Sequence, residues 1–206
     1  MNDLYPNWQS AWALAGLAEP PRACFEALCQ AYAEPQRRYH TLQHLRECLG
    51  QAERITQLAE RPGEVLIALW FHDTVYDTLG RGNEERSAIW AREVVTAAGG
   101  HEAAERVYQL VMATEHHAVP ANRDAQVLVD VDLSILGAES ERFDEYERQV
   151  RDEYRHVPGL LFRAKRRSVL QGFVARSRIF NTNTFHDLLE ARARHNLQRS
   201  IAQLGG

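Results

Sequence analysis

An imidazole and two carboxylates follow directly on the most apolar stretch of this chain. The run from Val65 to Phe71 is almost uninterruptedly apolar and ends in His72 and Asp73, with Asp77 four positions further on. Burying an imidazole and a carboxylate beside aromatic rings costs free energy unless something compensates their charge and fills their hydrogen bonds. A metal ion bound by both groups would do so. The alternative is a hydrogen-bonded helix end, in which His72 interacts with the helix dipole.

Further candidate ligands lie next to, or within, other apolar stretches that we expect to be buried. They are His40 and His44 ahead of one apolar helix face, His116 and His117 after another, and Asp130 and Asp132 within an apolar stretch. Residues four apart share a helix face, and His44 is favoured over His40 because it directly precedes the apolar residues. Asp130 and Asp132 lie on different sides of a helix, so we expect only one of them to reach an ion.

Neutral imidazoles together with carboxylates suit a divalent ion such as Mn²⁺, Fe²⁺, Zn²⁺, Co²⁺ or Mg²⁺. The absence of paired cysteines argues against a structural zinc site. A small set of protein ligands leaves coordination positions for water and for a substrate oxygen, and the ion offsets the charge of an anionic leaving group. These donors therefore predict metal-assisted hydrolysis of a phosphate ester or anhydride.

Helical periodicity predicts the elements that must position these groups. Pro62 precedes the buried helix that ends at His72, Asn83 is the expected cap of a helix over 84–98, and the stretch 127–137 is expected to be helical despite its β-branched residues. The other expected helices cover 4–17, the residues from Cys24, the residues after His44, 101–114, 141–154, 163–174 and 185–204. The fold class predicted is all-α, a single-domain helical bundle. Its parts are an N-terminal helical hairpin at 1–34, a metal-site core at 37–137 and C-terminal helices at 139–206 packed on that core.

Composition narrows the class of partner. The chain has 206 residues, 45% hydrophobic and 25% charged, with a net charge of -4, as in ordinary globular proteins. That charge gives no general attraction to nucleic acid or to an anionic membrane, so an anionic substrate must be held by a local cationic site. With the hydrolysis that the donors predict, the expected partner is a small phosphorylated molecule, and a homodimer is allowed. Cys24, Cys29 and Cys48 are odd in number and lack metal spacing, so we expect free thiols in the core and a reducing compartment. No apolar run reaches the length of a membrane span and the first residues do not form a signal peptide, so we expect a cytoplasmic protein.

The order His44, His72-Asp73 and Asp132 resembles the H…HD…D signature of the HD-domain superfamily of metal-dependent phosphohydrolases. Segments from about residue 37 to 197 are similar to a bacterial subgroup of predicted HD phosphohydrolases. These segments are Tyr39-His40-xxx-His44-Leu45, Phe71-His72-Asp73-xx-Tyr76-Asp77, Asn83-Glu84-xx-Ser87-Ala88, His116-His117, Asp132-Leu133-xx-Leu136-Gly137 and Ala191-Arg192-x-Arg194-x-Asn196-Leu197. The resemblance implies an HD-type helical bundle in which His44, His72, Asp73 and Asp132 bind the ion.

The resemblance also implies further roles. Some HD hydrolases follow the HD pair with Glu-Asp, which positions the attacking water. Tyr76 and Asp77 stand at those places here, so only Asp77 is a candidate general base, and it joins Asp73 as a candidate catalytic residue. Candidate substrate-binding residues, or partners of the ligands, are His40, Arg38, Glu84, His116 and His117. The last two resemble only loosely the extra histidines of two-metal relatives, so one ion is expected.

The sequence thus predicts a metal-dependent phosphohydrolase that cleaves a phosphate monoester or phosphoanhydride of a small, nucleotide-like metabolite. One alternative is a regulatory module that binds a metal or nucleotide without turnover. Another is an oxygenase, since some HD proteins use two irons. Basic residues at Arg37, Arg38, Arg163 and 165–167 could hold phosphate, although such runs are typical of solvated surfaces.

Overall fold

The computed structural model describes residues 2–115, 120 and 122–205, and every regular element among them is helical. The α-helices are α1 (Tyr5–Leu14), α2 (Arg22–Tyr32), α3 (Leu42–Ile55), α4 (Pro62–Phe71), α5 (Asn83–Ala97), α6 (His101–Met112), α7 (Arg123–Asp132), α8 (Ser140–Glu153), α9 (Gly159–Val174) and α10 (Asn183–Leu204). Short 3-10 segments cover Asn2–Leu4, Thr56–Leu58 and Leu133–Gly137. The all-α prediction is confirmed, including the choice of helix over strand at 127–137.

The chain forms two compact units, residues 1–132 and 133–206. The first contains α1 to α7 and the second α8 to α10. The prediction of a single HD-type domain with residues 139–206 packed on the core therefore stays a prediction. No helix in the described residues is long and apolar enough to cross a membrane.

Helix α4 is the centre of the first unit because it is apolar on every side. Five consecutive residues, 67–71, are fully buried, and α4 contacts α1, α3, α5, α6 and α7. Pro62 is its first residue, as predicted, where the missing N–H costs no helical hydrogen bond. A Cβ on Gly63 would lie 2.2 Å from the Ala15 backbone nitrogen, so glycine lets the end of α1 approach closely. The charge of Glu64 on α4 is compensated by Arg106 at 2.7 Å.

Local chemistry fixes where α3 and α5 begin. The Thr41 hydroxyl accepts a hydrogen bond from the Gln43 amide at 3.2 Å and caps α3. The predicted role of Asn83 as a helix cap is wrong, because Gly82 holds the cap position with φ 68° and Asn83 is the first helical residue. The Asn83 side chain instead accepts a hydrogen bond from the Asp77 backbone amide and donates one to the Asp77 carbonyl, each at 3.1 Å.

In the second unit, the Leu133–Gly137 segment packs against α10. The Asn196 side chain donates to the carbonyls of Leu136 at 3.0 Å and Ala138 at 2.9 Å. Glu190 and Arg194 of α10 hold the chain that follows α9, since Glu190 accepts the amides of residues 179 and 180 and Arg194 donates to the carbonyls of residues 174, 176 and 177. Residues 192–196, which carry part of the HD resemblance, therefore have a structural use within this unit.

Candidate metal centre

His44, His72, Asp73 and Asp132 come together at the ends of three helices in the first unit. His44 is the third residue of α3, His72 and Asp73 follow α4 directly, and Asp132 is the last residue of α7. The two Nε2 atoms of the histidines lie 3.1 Å apart. His44 Nε2 is 3.3 Å from an oxygen of each carboxylate, and His72 Nε2 is 3.0 Å from Asp73 Oδ2 and 3.6 Å from Asp132 Oδ1. Side chains from three separate parts of the sequence thus point their donor atoms at one small volume.

These separations fit donors that share one ion. Nitrogen or oxygen ligands about 2.1 Å from a common metal lie about 3.0 Å apart at a right angle and about 3.4 Å apart at the tetrahedral angle. The observed separations run from 3.0 to 3.6 Å. Two neutral imidazoles and two carboxylates also carry a charge of −2, which a divalent ion balances. The donor set therefore fits a divalent metal ion.

The site is closed on its histidine side and partly open on its carboxylate side. The side chains of His44 and His72 are 2% and 1% exposed, whereas those of Asp73 and Asp132 are 15% and 13% exposed. Of the four side chains, the carboxylates are therefore the ones that solvent reaches. An ion here would keep coordination positions facing that opening, as catalytic metal sites do.

His72 is held in the orientation that metal binding needs. Its Nδ1 lies 2.7 Å from the Leu69 carbonyl oxygen, and because a carbonyl can only accept, Nδ1 carries the proton. In the neutral imidazole that a metal ion requires, Nε2 is then the nitrogen that faces the cluster with a lone pair. Ligating histidines commonly donate their other ring N–H to a carbonyl or carboxylate in this way.

The close packing of these groups shifts the pKa values of His72 and Asp73 strongly. Burial lowers the pKa of His72, but the Asp73 carboxylate and the hydrogen bonds with Asp132 and Asp73 outweigh it and hold that pKa well above its ordinary value. Burial likewise raises the pKa of Asp73, but the imidazoles of His72 and His40 and the hydrogen bonds from His44 and His72 hold it well below its ordinary value. The carboxylates thus favour the charged form of His72, and the imidazoles favour the charged form of Asp73.

Arg37 and Tyr32 position the HD pair and were not predicted to do so. Arg37, expected on a solvated surface, is 3% exposed, and its guanidinium donates to the carbonyl oxygens of Asp73, Thr74 and His40. The fully buried Tyr32 hydroxyl donates to the Trp70 carbonyl at 3.2 Å and accepts the Asp73 amide at 3.3 Å. Nothing in the polar sequence around Arg37 signals this burial.

Cys48 also lies at the cluster, although the sequence predicted no thiol there. Its sulfur is 3.6 Å from Nδ1 and 3.7 Å from Nε2 of His44. The available signal was the spacing, since His44 and Cys48 are four apart on one face of α3. Cys48 and Cys29 are buried free thiols as predicted, whereas Cys24 is only half-buried.

His40 lies beside the cluster rather than in it. Its ring stacks on Tyr76 with centroids 3.9 Å apart and an interplanar angle of 23°, and its centroid is 5.8 Å from that of His44. The guanidinium of Arg38 donates to the carbonyl oxygens of Pro35 and Arg37. Both residues are half-buried, and their predicted roles toward a substrate stay predictions.

Asp77 lies in an exposed turn. Its Oδ1 accepts the Leu79 amide at 2.9 Å, and its backbone is bonded to the Asn83 side chain. Among the residues that the structure describes, no hydrogen bond or ion pair joins Asp77 to the four-residue cluster. Glu84 is half-buried in the first turn of α5. The base role of Asp77 therefore stays a prediction.

Two remaining candidates differ in what can be said of them. Asp130 is fully buried in α7, and Asp132 rather than Asp130 lies within 3.3 Å of a cluster histidine. His116 and His117 fall outside the described residues.

No protein-family model, curated protein or solved structure matches the chain. The likeness to HD-domain hydrolases therefore rests on the sequence motifs. What the geometry adds is a group of histidine, carboxylate and thiol donors, within 4.8 Å of one another, that could hold a metal ion.

Proposed function

We propose that this protein is a metal-dependent phosphohydrolase of the HD type, acting on a phosphate monoester or phosphoanhydride of a small, nucleotide-like metabolite. The observation that carries the proposal is the convergence of His44, His72, Asp73 and Asp132 with donor separations of 3.0 to 3.6 Å. The same four residues are the ligands that the HD resemblance implies. Sequence order and spatial convergence therefore support one assignment independently.

The histidines and carboxylates of the cluster would have different roles in such a site. His44 and His72 present imidazole nitrogens from the buried side, and the Leu69 carbonyl keeps the His72 ring in place. Asp73 and Asp132 bring the negative charge and border the opening through which a phosphate would enter. A divalent ion held there supplies Lewis-acid activation of water and of a phosphoryl oxygen. Asp77 is the proposed acceptor of the proton from the attacking water.

Metal content and hydrolysis together test the proposal. The full chain, purified without chelator, is analysed for bound metals and then assayed with Mn²⁺ on p-nitrophenyl phosphate, bis(p-nitrophenyl) phosphate and nucleoside mono-, di- and triphosphates. We expect stoichiometric metal, and His72→Ala and Asp73→Ala are each expected to lose the metal and about 100-fold or more of the activity. His101→Ala, at an exposed position of α6, is the matched control. Asp77→Asn is expected to keep the metal and lose hydrolysis.

Each failure has a separate meaning. Metal retained in a His72→Ala/Asp73→Ala double variant would overturn the site. Metal bound without any product, but with thermal stabilisation by a nucleotide, would favour the regulatory module. Bound iron with consumption of oxygen would favour the oxygenase.

A further inference from the structure

The Cys48 thiol lies in one group of donor atoms with three of the four proposed ligands. Its sulfur and one donor atom from each of His44, His72 and Asp132 all lie within 4.8 Å of one another. Cys48 is 1% exposed and is a free thiol. No cysteine takes part in the ligand set that the sequence resemblance implies, so this sulfur is a feature of the chain's own geometry.

The sulfur lies close to both ring nitrogens of His44, 3.6 Å from Nδ1 and 3.7 Å from Nε2. A thiolate about 2.3 Å and an imidazole nitrogen about 2.1 Å from one ion lie about 3.6 Å apart at the tetrahedral angle. Cys48 Sγ is 3.7 Å from His44 Nε2, the same nitrogen that lies 3.3 Å from both carboxylates. His44 Nε2 is therefore at the centre of the donor set, and the sulfur approaches it from α3 itself.

We propose that Cys48 supplies a sulfur donor to the ion, so that the site prefers Zn²⁺, Co²⁺ or Fe²⁺ over Mg²⁺. This inference rests on the metal site of the proposed function. Thiolate is a soft ligand that favours zinc and its neighbours, whereas Mg²⁺ takes oxygen donors and retains water. The sulfur's proton leaves to solvent as the ion binds, and no oxidant or reductant takes part.

Cobalt reports directly on a sulfur ligand. The full-length protein is freed of metal and loaded with Co²⁺ alone, and its near-ultraviolet absorption is recorded, since a thiolate bound to Co²⁺ gives a charge-transfer band that nitrogen and oxygen ligands do not give. We expect the band in the wild type and in Cys29→Ala, the control at a second buried thiol. We expect it to be absent in Cys48→Ala and Cys48→Ser.

Affinity gives a second measurement on the same variants. Competition with a chromogenic chelator is expected to show Zn²⁺ bound about 10- to 100-fold more weakly by Cys48→Ala, with Mg²⁺ binding unchanged. Cys48→Ser keeps the side-chain volume, so it serves if the alanine variant fails to fold, as judged by circular dichroism of the metal-free proteins. An unchanged cobalt spectrum or an unchanged Zn²⁺ to Mg²⁺ affinity ratio in a folded Cys48 variant would overturn the inference.

The two proposals fail separately. A charge-transfer band that depends on Cys48, together with no hydrolysis of any phosphate ester, would support the sulfur ligand and overturn the phosphohydrolase. Hydrolysis by the wild type with no such band would support the phosphohydrolase and overturn the sulfur ligand.

Discussion

Replacing Arg37 by methionine is expected to damage both the stability of the first unit and its metal site. The guanidinium is 3% exposed, and it donates to the carbonyl oxygens of Asp73, of Thr74 at 2.7 Å and of His40 at 3.1 Å. Its Nε also donates to Glu34 at 3.0 Å. Methionine has a similar length but no donor, so Arg37→Met removes the donor from the three carbonyls.

The loss of stability follows from the carbonyl oxygens that no longer accept a hydrogen bond. A buried polar group without its hydrogen bond costs about 1 to 3 kcal/mol, and three carbonyls lose their donor here. We therefore expect the free energy of unfolding to fall by about 3 kcal/mol or more. Because the carbonyl of Asp73 is one of them, the backbone of a proposed ligand is released, and metal affinity is expected to fall about 10- to 100-fold. Arg37→Lys keeps the charge but not the planar fork, so an intermediate loss is expected.

Urea unfolding followed by tryptophan fluorescence measures the change in the right unit, because all four tryptophans, at 8, 12, 70 and 90, lie within residues 1–132. Chelator competition measures the metal affinity. Arg46→Met is the matched control, since the ion pair of Arg46 with Asp3 is exposed and is expected to contribute under 1 kcal/mol. An Arg37→Met variant within about 1 kcal/mol of wild type, with unchanged metal binding, would refute the positioning role.

Three further outcomes are expected. Gly137→Ala destabilises the second unit by about 1 to 3 kcal/mol, measured by thermal unfolding, because the added Cβ would lie 2.7 Å from that of Leu189. Asn83→Ala removes both hydrogen bonds to the Asp77 backbone and speeds hydrogen exchange of the Asp77 amide. Burial raises the pKa of Cys29 to about 11 from 9.0, so both folded and unfolded thiols are protonated below pH 9 and only the unfolded one ionises between pH 9 and 11. The contribution of the Cys29 thiol to the free energy of unfolding is thus lost as pH rises. Between pH 8 and pH 10, the free energy of unfolding of the wild type, measured in urea, is expected to fall by about 1.4 kcal/mol relative to that of Cys29→Ala.

Each of these has its own control. Gly172→Ala, where an added Cβ meets nothing within 4 Å, is expected to stabilise α9 by about 0.5 to 1 kcal/mol, so an equal effect at both glycines would contradict the steric argument. Unchanged exchange at Asp77 in Asn83→Ala would mean that the turn is held by the Asp77 side chain alone. A stability difference between wild type and Cys29→Ala that does not vary with pH would contradict the raised thiol pKa.

The periodicity of apolar residues predicted the helices because the residues of each buried helix face lie within a few positions of one another in the sequence. The face of α3 and the proline start of α4 are confirmed on that ground. Periodicity cannot say which helix ends meet, and the choice of Asp132 over Asp130 came mainly from the resemblance. Arg37 could not be found at all, because the carbonyls that make its burial favourable belong to residues 36 and 37 positions away. Cys48 was within reach of the sequence, since its spacing from His44 places it on the ligand's own helix face.

The position next to Asp77 bears on where a proton acceptor would lie. Tyr76 stands where some HD hydrolases have glutamate, and its ring is stacked on His40 at 3.9 Å, with the Arg37 guanidinium 5.7 Å from its centroid. A tyrosine packed between these groups offers no carboxylate for positioning water. Asp77 itself is turned to the Leu79 amide. Two routes to water positioning in a hydrolase built on this site are therefore a movement of the turn that holds Asp77 and the carboxylates of Asp73 and Asp132, which are partly exposed. The Asn83 side chain bonds the backbone of Asp77 and not its carboxylate. Asn83→Ala therefore loosens the turn and leaves the carboxylates of Asp73 and Asp132 intact. Its effect on hydrolysis separates the two routes.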